Sequence, residues 1–270
     1  MTQLPGPLVN ADWLAEHLHA PDLRVLEATV HLTPRDGGYD VRSGREDWAA
    51  GHIPGSAFAD LIEELSQPHE SLNFTFPPPG RFGDAMSALG VEDGTAVVVY
   101  DRNDTMWATR LWWLLHAYGF DAAVLDGGLA AWHGELTDAP APEHDATFTP
   151  RPHPRTIADR AEVENGPACL LNALSPEAFR EARIPGSTNL AGRDLLDPDS
   201  GRFRSPEELR RRLGAAGALG GGRVVTYCGG GISATLDAFV LTLLGEPDVA
   251  VYDGSMGEWL ADPARPIERG

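Results

Sequence analysis

The sequence predicts an α/β protein made of two tandem domains, each with a mainly parallel central sheet flanked by helices. Three observations support this fold class. An internal repeat divides the chain, strand-like and helix-like runs alternate within each copy, and a proline-rich stretch separates the copies. The 270 residues suffice for two domains, since domains cluster at about 100 to 150 residues.

The repeat is visible in two pairs of segments that share one offset. AVVVYD (96–101) corresponds to RVVTYC (223–228), and LDGGLAAW (125–132) corresponds to YDGSMGEW (252–259). The offset is the same because 228 − 101 and 259 − 132 both equal 127. We infer that the chain holds two copies of one unit.

A third pair and the prolines define the domain organisation. GHIPGS (51–56) corresponds to ARIPGS (182–187), where 185 − 54 equals 131, so a few residues were gained or lost between motifs. The proline-dense stretch between 139 and 155 cannot form a helix or a central strand. We therefore predict one domain over residues 1–145 and a second over residues 146–270.

Strand and helix patterns alternate in both copies. Short apolar or β-branched runs, typical of buried parallel strands, occur at 23–28, 95–100, 169–173 and 223–227. Helical periodicity follows at 108–117 and 234–244. This βαβ order predicts a parallel sheet in each domain. Ligands of such sheets bind at the carboxyl ends of strands, where Asp101 and Cys228 are expected.

Charge and composition exclude several classes of function. The formal net charge is −19, from 21 basic and 40 acidic side chains, and it repels nucleic-acid backbones and anionic membrane surfaces. The sequence has no basic leader and no long apolar run, so we expect a cytoplasmic protein whose two cysteines stay reduced. A small anionic substrate would also be repelled. A site for one needs backbone N–H groups or arginines that create a local positive potential.

Cys228 begins the segment with the strongest chemical signal, a glycine-rich loop between a buried strand and a helix. The loop continues through Gly229, Gly230, Gly231, Ile232 and Ser233. Its glycines let N–H groups point inward as a nest for negative charge, and the helix N-terminus adds its positive dipole end. We expect a thiolate nucleophile at Cys228. A buried structural cysteine is the alternative, and core packing better explains Cys169, which lies in an apolar run without glycines.

Together these segments resemble the tandem-domain rhodanese family of sulfurtransferases. The resemblance rests on the CGGGIS loop, both IPGS segments, the DGG and DGS turns each followed by Trp, and the Trp112–Trp113 pair, and it spans nearly the whole chain. It implies a ping-pong transfer in which Cys228 takes a sulfur atom from a small anionic donor, thiosulfate or 3-mercaptopyruvate. The resulting persulfide gives the sulfur to cyanide or a thiol acceptor. The histidines lack metal-ligand spacing and no dinucleotide or P-loop fingerprint occurs, so we expect no cofactor and no metal.

The resemblance assigns different roles to the two copies. Asp101 stands where the first copy would need a cysteine, and a carboxylate cannot accept sulfur, so this copy is expected to be catalytically silent. It is expected to cover the active-site cleft, with Trp107 contributing. The arginines of the family pattern are missing near 171–179, which leaves Arg180 and Arg183 as candidates for binding the anionic donor. Solvated surface arginines are the alternative for both.

The loop also departs from related patterns. Gly230 replaces the serine of the CGSGVT pattern found in mercaptopyruvate enzymes, and the histidine of that type is absent from NFTFPPPG (73–80). No arginine follows Cys228 before Gly245, which argues against a cysteine phosphatase, because such enzymes bind phosphate through an arginine. Two further alternatives stay open. The alternatives to a small-molecule sulfurtransferase are a persulfide carrier that serves a partner protein and a non-catalytic interaction protein.

Overall fold

The computed structural model describes residues 1–36 and 38–270. Within these residues, no helix combines the length and the apolar character needed to cross a bilayer.

The contacts divide the described chain into two compact units. The first consists of Met1–Gln67 and Pro77–Pro152, and the second of Pro68–Phe76 and His153–Gly270. In each unit the described residues form a five-stranded sheet in which every paired neighbour is parallel. Helices flank both sheets, which confirms the predicted α/β class.

The sheet of the first unit has the strand order β1-β7-β6-β2-β5, and β3 and β4 form a separate antiparallel hairpin. In chain order its elements are β1 (Leu8–Val9), α1 (Ala11–His17), β2 (Leu23–Glu27), β3 (Val30–Arg35), β4 (Gly38–Ser43), α2 (Arg45–Ala50), β5 (Ala57–Phe58), α3 (Pro79–Ala88), β6 (Ala96–Tyr100), α4 (Met106–Ala117) and β7 (Ala122–Leu125).

The sheet of the second unit has the strand order β10-β9-β11-β12-β8. Its elements are β8 (Ile157–Ala158), α5 (Arg160–Glu164), β9 (Cys169–Asn172), α6 (Pro176–Glu181), β10 (Thr188–Asn189), α7 (Pro206–Ala215), β11 (Val224–Tyr227), α8 (Ala234–Leu243), β12 (Val249–Tyr252) and α9 (Ser255–Leu260). A short 3-10 helix, Gly192–Leu195, lies between β10 and α7.

The core explains why the predicted elements form. Every residue of β6 and of β11 is buried, as expected for central strands covered on both faces. The helices that follow, α4 and α8, are buried along most of their length. The six strands and helices predicted from the sequence are confirmed, with bounds that agree to within two residues.

The internal repeat extends to the hydrogen bonds that anchor the central strands. At the end of β11, the Tyr227 hydroxyl accepts the N–H of Ile184 at 3.1 Å and bonds the Ser187 hydroxyl at 2.7 Å. These bonds tie the strand to the IPGS turn immediately before the residue that begins the loop. The same two hydrogen bonds recur in the first unit between Tyr100 and its partners Ile53 and Ser56.

The proline-rich stretch packs onto the first unit through Phe148. Residues 139–153 form neither helix nor strand. The Phe148 ring is 5% exposed and lies against Phe82 and Phe120, and its N–H donates to the Ser87 hydroxyl at 2.9 Å. These contacts hold the chain on the first unit beyond residue 145. The division of the chain at that residue stays a prediction.

Candidate active site

Cys228 lies at the centre of the carboxyl edge of the second sheet. It directly follows β11, which is flanked by β9 and β12, and only 2% of its surface is exposed. Gly231 has φ +77°, and a Cβ there would lie 2.6 Å from the Asp253 carbonyl oxygen. Glycine is therefore the residue that meets both the backbone and the packing requirement at this point of the loop.

The turn after β12 holds the first two residues of the loop. Ser255 Oγ accepts the N–H of Cys228 at 3.1 Å. The N–H groups of Met256 and Gly257 donate to the carbonyls of Cys228 and Gly229 at 3.0 and 2.9 Å. These three hydrogen bonds fix the backbone of Cys228 and Gly229 against the turn before any substrate binds.

Ser255 is a residue of the candidate site that the sequence did not predict. It is fully buried and has φ +49°, a left-handed conformation that is costly for a residue with a Cβ. Its hydroxyl donates to the Tyr252 carbonyl at 2.8 Å, so its acceptor oxygen points at Cys228. A signal was available in the repeat, because Gly128, with φ +57°, is its counterpart in the first copy.

In the first copy the equivalent loop is filled by its own carboxylate. Asp101 Oδ1 accepts the N–H groups of Asn103 and Thr105 at 3.0 and 3.2 Å, and Oδ2 accepts those of Trp107 and Ala108 at 3.0 and 2.9 Å. Burial raises the pKa of Asp101 to about 7, and the four N–H groups oppose this shift. This loop is therefore an anion nest with a built-in occupant.

In the second copy two of the four corresponding N–H groups have no acceptor among the described residues, whereas the N–H of Thr235, the counterpart of Ala108, donates to the Ile232 carbonyl at 2.9 Å. Gly230 and Ile232 correspond to Asn103 and Thr105, and neither of their N–H groups bonds an acceptor among the described residues. A Cβ on Gly230 would meet nothing within 4 Å. The loop that begins at Cys228 can therefore receive an anion beside the sulfur.

A second difference between the two copies is an ion pair that only the first copy has beside its loop. Arg102 forms two hydrogen bonds with the fully buried carboxylate of Glu27, at 2.6 and 3.1 Å. Gly229 and Asn172 occupy the corresponding positions in the second copy. The second loop thus lacks both the guanidinium and the carboxylate that fill space beside the first.

The predicted donor-binding arginines are both engaged by the protein. Arg180 bonds Glu177 at 3.1 Å on the surface of α6. Arg183 bonds Glu268 at 3.2 Å and the Gly270 carbonyl at 2.8 Å, and its guanidinium lies 4.8 Å from the Phe179 ring. Their role in binding a donor stays a prediction.

Trp107 and Cys169 lie away from the Cys228 loop in the sequence and differ in their surroundings. Trp107 is fully buried in α4, and its backbone N–H donates to Asp101 Oδ2. Its contribution to a cleft stays a prediction. Cys169 begins β9, at the sheet edge opposite to the end of the adjacent β11, where Cys228 follows. Burial raises the pKa of Cys169, and Thr188 partly offsets the shift. Both cysteines are free thiols.

The segment Pro68–Phe76 packs with the second unit although it precedes it by many residues. The N–H of Phe76 donates to Asp253 Oδ2 at 2.8 Å, and a Cβ on Gly257 would lie 3.0 Å from Leu72. Leu72 and Phe76 therefore lie against the turn that holds the Cys228 loop. The segment's own His69 accepts backbone N–H groups through Nδ1, which closes a local turn.

Among the described residues, no three side chains of the His, Cys, Asp and Glu types are grouped as metal ligands would be.

Comparison with known proteins agrees with this geometry. The chain matches the Rhodanese-like domain family over residues 10–135 and 158–262. It is 35% identical to a probable 3-mercaptopyruvate sulfurtransferase of Pseudomonas aeruginosa, covering 97% of this chain and 98% of the relative. It is 30% identical to mouse thiosulfate sulfurtransferase, covering 97% and 95%.

A solved structure extends the match to three dimensions. The crystal structure of SseA from Escherichia coli, described among 3-mercaptopyruvate sulfotransferases, superposes with a TM-score of 0.82 at 28% identity, covering 93% of this chain and 98% of that one. Both the sequence and the fold therefore place the chain with the same proteins. The chain belongs to the rhodanese family, with a rhodanese-like domain in each half of its sequence.

Proposed function

We propose that the chain is a sulfurtransferase that carries a sulfane sulfur as a persulfide on Cys228. The observation that carries the proposal is the correspondence of the two loops. In the first loop, backbone N–H groups bind an oxygen two bonds beyond the Asp101 Cβ. In the second, the outer sulfur of a persulfide would also lie two bonds beyond the Cβ, beside the N–H groups of Gly230 and Ile232. These donors stabilise its negative charge.

The first half-reaction loads Cys228. Its thiolate attacks the sulfane sulfur of the donor, and a new S–S bond forms. With thiosulfate, the S–S bond of the donor breaks and sulfite leaves with the bonding electrons. With 3-mercaptopyruvate, the C–S bond breaks, and the carbon takes up the proton of the donor thiol to give pyruvate. The two relatives named for these donors support both as candidates.

The second half-reaction returns the thiolate. Cyanide carbon or an acceptor thiolate attacks the outer sulfur, the persulfide S–S bond breaks, and its electrons return to the Cys228 sulfur. Thiocyanate or a new persulfide leaves. The bonds from Ser255, Met256 and Gly257 hold the loop backbone in one conformation through both steps, so reorganisation adds little to either barrier.

The first copy takes no sulfur in this scheme. Asp101 already fills its own nest, which supports a silent role for the domain predicted over residues 1–145, with Trp107 fixed by the same carboxylate. We also place the reaction in the cytoplasm, where the two free thiols, Cys169 and Cys228, would stay reduced.

Steady-state thiocyanate formation from cyanide tests the proposal, with thiosulfate and 3-mercaptopyruvate as separate donors. The native chain should turn over at least one donor, and Cys228→Ala should reduce the rate to background. Cys169→Ala is the matched control and should keep the native rate. Absence of turnover with both donors would refute the small-molecule reaction and favour a persulfide carrier loaded by a partner protein.

A further inference from the structure

The first copy carries a β-hairpin that the second copy lacks. In the sheets, Glu27 at the end of β2 and Asn172 at the end of β9 pair with the last residues of the two central strands. From there to the isoleucine of the IPGS segment the first copy has 26 residues and the second has 12, because 53 − 27 equals 26 and 184 − 172 equals 12. The difference, 14 residues, is the length of the hairpin Val30–Ser43. The second copy is therefore the same unit without this hairpin.

The hairpin of the first copy contacts both the loop and the helix beside it. The side-chain amide of Asn103, a residue of the first loop, donates to the carbonyl of Val30 at 3.0 Å. On the other side, His31 and Arg42 of the hairpin bond the carboxylate of Asp47 on α2 at 2.8 and 3.2 Å. A segment of peptide chain thus covers this side of the first loop.

The second copy has also lost the residues that anchor the hairpin. Helices α2 and α6 have six residues each and are related by the IPGS offset of 131, which places Ala178 at the position of Asp47. Gly230 stands at the position of Asn103. Gly229 is exposed, and a Cβ on either glycine would meet nothing within 4 Å. The side of the second loop that corresponds to the hairpin is therefore open to solvent.

Four residues of the second unit form the surface that the hairpin would cover. They are Leu174, Ala178, Gly229 and Gly230, which we call the open face. Leu174 corresponds to Thr29, whose carbonyl accepts the N–H of Gly44 at the base of the hairpin at 2.9 Å, because each lies two residues beyond its strand. The open face has no charged side chain, and Gly229 is bonded directly to Cys228. A molecule on this face thus lies next to the nucleophile.

Resting on the proposed function, we propose that an uncharged peptide segment of a partner protein docks on the open face and that its cysteine accepts the sulfur from Cys228. The first copy identifies this kind of occupant, because a peptide segment of the chain itself covers the same face there. The segment is uncharged because the face offers no counterpart to Asp47, and an unpaired charge held against it would lose its hydration. Cyanide, a molecule of two atoms, needs no such opening.

The transfer to the segment needs no further reactant. The cysteine thiol of the segment loses its proton to solvent, and the thiolate attacks the outer sulfur of the Cys228 persulfide. A new S–S bond forms, the S–S bond at Cys228 breaks, and its electrons return to the Cys228 sulfur. The partner leaves as a persulfide, and the chain regains its free thiolate.

Sulfur release from the preloaded chain tests the proposal. The probe is a pool of nine-residue peptides with blocked ends, one central cysteine and uncharged flanking residues. N-acetylcysteine amide is the small acceptor with the same thiol group. Per thiol, the pool should take up sulfur about tenfold faster than the small acceptor, because docking on the open face adds binding energy that the small thiol lacks.

Two arginine substitutions show whether the open face is responsible for this preference. Ala178→Arg puts a long charged side chain on the face and should lower the ratio of the peptide rate to the cyanide rate about tenfold. Ala161→Arg, at an exposed first-turn position of α5, is the matched control and should keep the native ratio.

Equal rates for the peptide pool and N-acetylcysteine amide would overturn the proposal while leaving sulfur transfer intact. An unchanged ratio in Ala178→Arg, or an equal fall of the ratio in Ala161→Arg, would overturn it in the same way. If the native chain takes up no sulfur at Cys228, the proposed function fails, and this inference fails with it.

Discussion

The two loops that follow the central strands start from one backbone plan and differ in what fills them. In the first, Asp101 occupies its own nest and is closed in by the Arg102–Glu27 ion pair. In the second, glycines replace the neighbouring side chains. The Cys228 side chain is shorter than that of Asp101 by one atom, so the N–H groups of Gly230 and Ile232 can bind the outer sulfur of the proposed persulfide. The second loop therefore differs from the first by the loss of side chains around the position of Cys228, and not by the addition of any.

The most direct test of this difference replaces Cys228 by aspartate, the residue at the same position of the first loop. Cys228→Asp should fold, because Asp101 shows that a carboxylate fits this backbone, yet sulfur transfer should fall by about a thousandfold or more. Thiocyanate formation measures the loss, and urea unfolding verifies the fold. Turnover above a tenth of native would mean that Cys228 is not the sulfur carrier.

Asp101→Asn tests the occupied nest through stability. The amide nitrogen cannot accept the N–H groups of Trp107 and Ala108, so we expect a loss of about 2 to 4 kcal/mol in the free energy of unfolding. The folded-state pKa, about 7, lies above its ordinary value of 3.8, so the native state binds the extra proton between these pH values. The native chain therefore loses stability relative to the variant as pH rises through this window.

Urea unfolding of the native chain and Asp101→Asn at pH 5.5 and pH 8 measures this difference. The free energy of unfolding of the native chain should exceed that of Asp101→Asn by more at pH 5.5 than at pH 8. The sulfur-transfer activity per folded molecule should not change. If this stability difference is instead larger at pH 8, the native state prefers the carboxylate over the neutral acid.

Ser255 sharpens the comparison at the turn that supports each loop. Ser255→Ala leaves the Cys228 N–H buried without an acceptor, which should lower the free energy of unfolding by about 1 to 3 kcal/mol. It should also lower kcat/KM about tenfold. Ser255→Gly loses the same bond but suits φ +49°, as Gly128 does at φ +57°. It should therefore be less destabilising than alanine by about 1 kcal/mol. Thermal unfolding of both variants would contradict this account if glycine proved the worse replacement.

Gly230→Ser should have the smallest effect on stability, within about 0.5 kcal/mol, because its Cβ meets nothing within 4 Å. By its resemblance to the mercaptopyruvate pattern, the new hydroxyl should raise turnover of 3-mercaptopyruvate relative to thiosulfate. Gly231→Ser is the matched control and should destabilise strongly, because φ is +77° and its Cβ would meet Asp253. Equal unfolding midpoints for the two variants would refute this description of the loop.

Much of the fold could be predicted from local patterns. The runs around β6, β11, α4 and α8 are nearly continuous in apolar character, and the repeat offset aligned them before any coordinates were needed. The packing of Phe148 could not be predicted, because a single aromatic residue in a proline-rich stretch does not reveal its partner. The same holds for Pro68–Phe76, whose contacts with Asp253 and Gly257 depend on residues far along the chain.

The candidate nucleophile and its loop could be predicted from the sequence, whereas the contacts that hold the loop could not. The glycines after Cys228 and its position after a buried strand predict it from the sequence. Ser255 contacts it through one hydrogen bond that depends on how the ends of β11 and β12 meet, which the sequence does not reveal.

Intact-protein mass after incubation with donor and removal of the excess tests the central claim most directly. The native chain and Cys169→Ala should each gain the mass of one sulfur atom, lose it on addition of cyanide, and release one thiocyanate per chain, whereas Cys228→Ala should gain nothing. A sulfur adduct that persists in Cys228→Ala, or that maps to Cys169, would contradict the account.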